Sequence, residues 1–78
     1  MRIMIVGAGR VGYFLSEKLS GEGQEVVLID RDPDKLRRIE RDLNIMTVQG
    51  SGASGRKLEE AGLNKTDLFI AGTDNDAV

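Results

Sequence analysis

Three glycines and one carboxylate carry the chemistry this sequence can offer. Gly7-Ala8-Gly9-Arg10-Val11-Gly12 has the G-x-G-x-x-G spacing, and Asp30 stands eighteen residues beyond Gly12. In a phosphate-binding loop Gly7 permits the tight turn, Gly9 lets a pyrophosphate approach the backbone, and Gly12 lets the following helix lie close to the preceding strand. The unpaired N–H groups and positive end of that helix then face the anion. A plain strand-to-helix turn is the alternative, and it needs only one or two of the three glycines. Arg10 is either a cation at the phosphates or a solvated first-turn side chain. Asp30 sits where the fingerprint asks for an acceptor of ribose hydroxyls. A carboxylate there repels a 2′-phosphate and favours NAD over NADP, although Arg31 next to it offers such a phosphate a counter-charge. ATP or ADP would satisfy Asp30 equally through the adenosine ribose. No Lys-Ser or Lys-Thr follows the last glycine, so this is not the loop of P-loop ATPases.

The elements that must position these residues are legible on either side of them. Ile3 to Val6 is an apolar run closed by Gly7, as expected of a strand buried on both faces. From Arg10 a helix is predicted with Val11, Phe14, Leu15 and Leu19 on its apolar face and Gly21 and Gly23 at its end. Glu25 to Asp30 repeats the strand signal. Asp32 then offers an N-cap, Pro33 a first helical residue, and Leu36, Ile39 and Leu43 one apolar face. Ile45 to Gly50 reads as a third strand. A short helix capped by Ser54 and stopped by Gly62 follows, and Asp67 to Gly72 reads as a fourth strand. Strands alternating with helices imply a parallel sheet with right-handed crossovers. The expected fold class is α/β, a Rossmann-like sheet of order 3-2-1-4, with residues 1–78 forming one truncated domain, half of a doubly wound one. In that order the ligand is expected at the carboxyl ends of the strands, beside the point where the chain reverses direction.

Composition removes several classes of function. The chain of 78 residues has 40% apolar and 31% charged residues and a formal net charge of −2, which gives no basic footprint for nucleic acid. Without cysteine or histidine, thiolate, zinc and His-dependent hydrolytic chemistry lose their usual groups, and no metal site is expected. The longest apolar runs fall far short of the ~20 residues that span a bilayer. A cytoplasmic location is the resulting expectation.

The stretches MRIMIVGAGRVGYFLSEKLSGEGQEVVLIDRDPDKL and TVQGSGASGRKLEEAGLNKTDLFIAGTDND resemble the amino-terminal nucleotide-binding domain of the Trk-type potassium-uptake regulators, also called the RCK or KTN domain. The likeness runs through the whole chain, and the later stretch, a glycine-led loop, then L-x-x-A-G and TD-x-D, is the more specific part. The resemblance implies a regulatory module that binds NAD(H), or in some members ATP and ADP, on the cytoplasmic side of a membrane potassium transporter. Carried over by position, Gly7 to Gly12 hold the phosphates, Asp30 the adenosine ribose, and Ser51 lies by the adenine. Thr73 and Asp74 line the far side. The family usually has Asp, a small residue and Thr in the loop after the third strand, where this chain has Ser51 and Ala53. A serine hydroxyl still accepts from the adenine amino group, without charge assistance. The family's domain also continues into a further helix and strands beyond Val78.

A fragment of an NAD-dependent oxidoreductase is the rival reading, and a fold fragment without ligand the third. Tyr13 and Lys18 miss the Tyr-x-x-x-Lys spacing of short-chain dehydrogenases by one residue and read as ordinary helix-surface groups. Asp74 and Asp76 lack the glycine and distant glutamate of a calcium loop, and Asp76 reads as a helix cap. No catalytic residue and no enzymatic activity are expected. Strand four, with Leu68, Phe69 and Ile70, is expected to leave a free apolar edge, which predicts a homodimer or larger assembly through that strand and neighbouring Leu58 and Leu63.

Overall fold

A computed structural model of the protein describes residues 1–50 and 55–71. The elements follow in the order β1 (Arg2–Val6), α1 (Arg10–Gly21), β2 (Glu25–Asp30), α2 (Pro33–Asp42), β3 (Met46–Gln49), α3 (Gly55–Glu60), a 3-10 turn (Leu63–Lys65) and β4 (Leu68–Ala71). All pairings are parallel and the sheet order is β3-β2-β1-β4. The chain is a Rossmann-like α/β fold with the expected strand order.

The continuous apolar runs of β1 and β2 are explained by cover on both faces. On one face Ile3, Ile5, Val26 and Leu28 pack with Leu36 and Ile39 of α2, flanked by Tyr13, Leu15 and Leu19 of α1 and by Ile70. On the other, Met4, Val27 and Ile29 pack with Ala61, flanked by Leu58 and Leu63. Register aligns the first of these layers across the sheet, with Ile5 opposite both Leu28 and Ile70.

Helix α2 forms as its sequence dictates. The Asp32 carboxylate accepts from the N–H groups of Asp34 (2.9 Å) and Lys35 (3.4 Å), Pro33 opens the helix, and Leu36 and Ile39 are buried. Helix α1 departs from expectation. Val11 and Phe14, predicted on its apolar face, are exposed, and the buried positions are Gly12 and Ser16. The reason is close approach: a helix seated tightly over β1 and β2 presents its smallest residues at the contact, and Leu15 and Leu19 flank that seam. Ser16 is fully buried there, and its hydroxyl has no hydrogen-bond partner among the described residues.

At the opposite end of the sheet, Arg2 and Asp67 join β1 to β4 reciprocally. The Arg2 N–H donates to the Asp67 carboxylate (2.9 Å), and the Asp67 N–H donates to the Arg2 carbonyl (2.8 Å). Leu63 falls in the 3-10 turn outside α3, and both Leu58 and Leu63 are half-buried against the core. Ser51, Ala53, Ser54, Thr73, Asp74 and Asp76 lie outside the described residues.

Candidate functional site

The loop from Gly7 to Gly9 lies at the carboxyl end of β1, the strand that sits between β2 and β4 in the sheet. The three glycines are not equivalent. Gly7 has φ of 110°, the left-handed region that favours glycine, and its N–H extends the β1–β2 ladder by donating to the Ile29 carbonyl (2.8 Å). A Cβ on Gly12 would lie 1.9 Å from the Gly7 carbonyl oxygen, so α1 seats on the turn only because that atom is absent. Gly9, the N-cap of α1, has φ of −80° and ψ of −161°, an extended conformation open to any residue. The turn therefore accounts for Gly7 and Gly12 and leaves Gly9 without a conformational reason.

Beyond Gly9, helix α1 offers the donors that a phosphate requires. Its first intrahelical bond runs from the Tyr13 N–H to the Gly9 carbonyl (2.9 Å), so the N–H groups of Arg10, Val11 and Gly12 have no acceptor within the helix. Arg10 and Val11 are both exposed on that first turn, whereas Ala8 is buried.

Asp30 closes the site from the neighbouring strand. One carboxylate oxygen accepts from the Ala8 N–H (2.7 Å) and the other from the Asp32 N–H (2.8 Å), while its carbonyl accepts from the Gly50 N–H (2.9 Å). One residue thus fixes the glycine loop, the start of α2 and the segment after β3. A carboxylate has about four lone-pair sites, so two remain after these two bonds among the described residues. Arg31 beside it is exposed.

Of the residues expected at the site, Gly7, Ala8, Gly9, Gly12 and Asp30 converge at one end of the sheet, and Arg10, Val11 and Arg31 stand on its exposed margin. Tyr13, read from the sequence as a surface residue, is half-buried against the core. It lines a cleft with Lys35 and Arg38, two residues the sequence reading did not single out. No local signal marks them, because charges at helical spacing on α2 are also what a solvated face requires.

A fold and a glycine loop of this kind are shared by many proteins, and similarity along the chain narrows the choice. The family model described as the TrkA-N domain matches residues 3–78. A Trk system potassium uptake protein TrkA from Halomonas elongata is 41% identical over 78 residues, which is 100% of this chain and 17% of that protein. A TrkA homolog from Archaeoglobus fulgidus is 37% identical over the same share of each chain. One from Methanothermobacter thermautotrophicus is 34% identical over 76 residues, 97% of this chain and 35% of that protein. The chain thus spans 17% of the length of the first two relatives. With the loop, the acidic residue ending β2 and the strand order all in place across the matched residues, this chain belongs to the TrkA-N domain family.

Proposed function

We propose that the protein binds NAD(H), with ATP or ADP as the alternative ligand, and acts as a regulatory nucleotide-binding module of a membrane potassium transporter rather than as an enzyme. The observation that carries the reading is Gly9: its backbone conformation suits any residue, so its dihedral angles do not call for glycine, and the close approach of a ligand supplies a reason for it. The pyrophosphate lies on the N–H groups of Arg10 to Gly12, with the Arg10 guanidinium beside it. The ribose hydroxyls donate to the two free lone-pair sites of Asp30, which also sets NAD(H) above NADP(H). Ser51 contributes at the adenine and Thr73 and Asp74 at the far side. Regulation of potassium uptake is proposed from the names of the relatives, which are potassium uptake proteins. Among the described residues no helix is long and apolar enough to cross a membrane. The transporter is proposed as a separate partner, with the module at its cytoplasmic side.

Calorimetric titration with NADH, NAD, ATP and ADP tests the binding and ranks the ligands. Gly9→Val is expected to abolish binding while leaving the circular dichroism spectrum as in wild type, because the substitution blocks the ligand and not the turn. Gly12→Val is expected to unfold the domain, since its side chain meets the Gly7 carbonyl. Unchanged affinity in Gly9→Val would remove the phosphate site.

The module is further proposed to self-associate through β4. Leu68 and Phe69 are 44% and 43% exposed on an outer strand, an apolar edge suited to a two-fold contact. Phe69→Lys is expected to shift sedimentation equilibrium at tens of micromolar toward monomer. A wild type that is monomeric under those conditions would end this part of the proposal.

A further inference from the structure

The helical side of the molecule carries a second concavity. Between the first turn of α1 and the length of α2 lies a cleft of about 570 Å³, bordered by Tyr13 and Ile39 and by the side chains of Arg10, Lys35, Arg38 and Asp42. Its volume falls within the ~300–1,000 Å³ of ordinary small-ligand sites. Lys35, Arg38 and Asp42 recur at three- and four-residue spacing, so one side of α2 presents all of them, and Arg10 and Tyr13 face them from α1.

The charges of this cleft are not balanced locally. Elsewhere on α2, Arg37 pairs with Asp34 at 3.1 Å and Arg41 with Asp42 at 3.5 Å. Asp42, the acid bordering the cleft, is therefore already engaged by a cation outside it. Arg10, Lys35 and Arg38 make no ion pair or side-chain hydrogen bond among the described residues. Three uncompensated cations meet at one concavity in a chain whose net charge is −2, so the positive potential there is a local concentration and not a general excess.

We propose that the α1–α2 cleft binds a small phosphorylated anion, separately from the dinucleotide. The Arg38 guanidinium fork and the Lys35 ammonium suit the tetrahedral oxygens of a phosphate, the fork able to donate two parallel N–H bonds, while Arg10 stays with the pyrophosphate of the dinucleotide. Half-buried Tyr13 and buried Ile39 supply an apolar wall for the organic part of such a molecule. The cleft is distinct from the ribose contact, since neither Asp30 nor Arg31 borders it, although it meets the glycine loop at Ala8 and Gly9.

The test is a titration of the ¹⁵N-labelled protein with inorganic pyrophosphate, followed by amide chemical shifts, against potassium chloride at matched ionic strength. It is run on wild type and on Lys35→Gln/Arg38→Gln, each with and without saturating NADH. Saturable shifts at Tyr13, Lys35, Arg38 and Asp42 are expected, persisting with NADH present, with affinity about tenfold weaker in the double variant. Shifts confined to residues 7–12 and displaced by NADH would overturn the proposal, because the anion would then occupy the glycine loop alone. Shifts reproduced by potassium chloride, or equal affinity in the double variant, would overturn it too. If NADH itself binds neither protein, the dinucleotide reading fails while the pyrophosphate curves still decide this one.

Discussion

The central pair of strands and the two outer strands of this sheet are made differently. In β1 and β2 seven residues are buried, from Ile3 to Ile5 and from Val26 to Ile29, whereas β3 and β4 have none. Both layers of side chains meet on the central pair, and the glycine loop and Asp30 leave from its carboxyl end. The groups proposed to hold the ligand are therefore anchored to the most closely packed part of the molecule, while the outer strands have no buried residue.

The contrast breaks most visibly in the core. Leu28→Ala is expected to cost about 2–5 kcal/mol in urea denaturation, since Leu28 is completely buried between strand neighbours and both helices of its face. Phe69→Ala on β4 is expected to cost about 1 kcal/mol or less despite the larger side chain removed, because Phe69 is already 43% exposed. Equal losses would mean that the outer strand is as well packed as the centre.

Asp30 sharpens the comparison at the junction of structure and binding. Asp30→Ala leaves the Ala8 and Asp32 N–H groups without their acceptor, an expected loss of about 1–3 kcal/mol together with loss of NADH affinity. Asp32→Ala removes only the α2 cap, an expected loss of about 1 kcal/mol with NADH affinity unchanged. Thermal denaturation and calorimetry on the two variants separate a residue that holds the loop from one that holds a helix.

The smallest expected effect has the opposite sign. Ser16→Ala removes a hydroxyl that is buried and unpartnered under α1, and should raise stability by up to about 1 kcal/mol in the same denaturation assay. A loss instead would show that the hydroxyl finds a partner at this seam in solution.

These residues also mark how far the sequence could be read. The strand order followed from alternating strands and helices with right-handed crossovers, and the two roles fixed by backbone, at Gly7 and Gly12, followed from the spacing of the motif. Helix α1 was misread because large apolar residues dominate a periodicity argument, whereas the seam with the sheet selects for small size at Gly12 and Ser16. The grip of Asp30 on Ala8 spans 22 residues and leaves no local mark. Lys35 and Arg38 border a cleft only because α1 lies beside α2, since concavity is a property of two elements and not of either one.

The reciprocal bonds between Arg2 and Asp67 have a consequence for the order in which the molecule assembles. They close a loop of 65 residues, whereas the pairing of Arg2 with Glu25 closes one about a third as long. Closing the longer loop costs about 1 kcal/mol more in chain entropy. The β1–α1–β2 unit can therefore form early from nearby contacts, and β4 joins last, after the intervening chain has already been shortened by folding. The same ordering holds in reverse: amides of β4 are expected to exchange with solvent through partial openings that release the outer strand, while those of β1 and β2 exchange only when the whole domain unfolds.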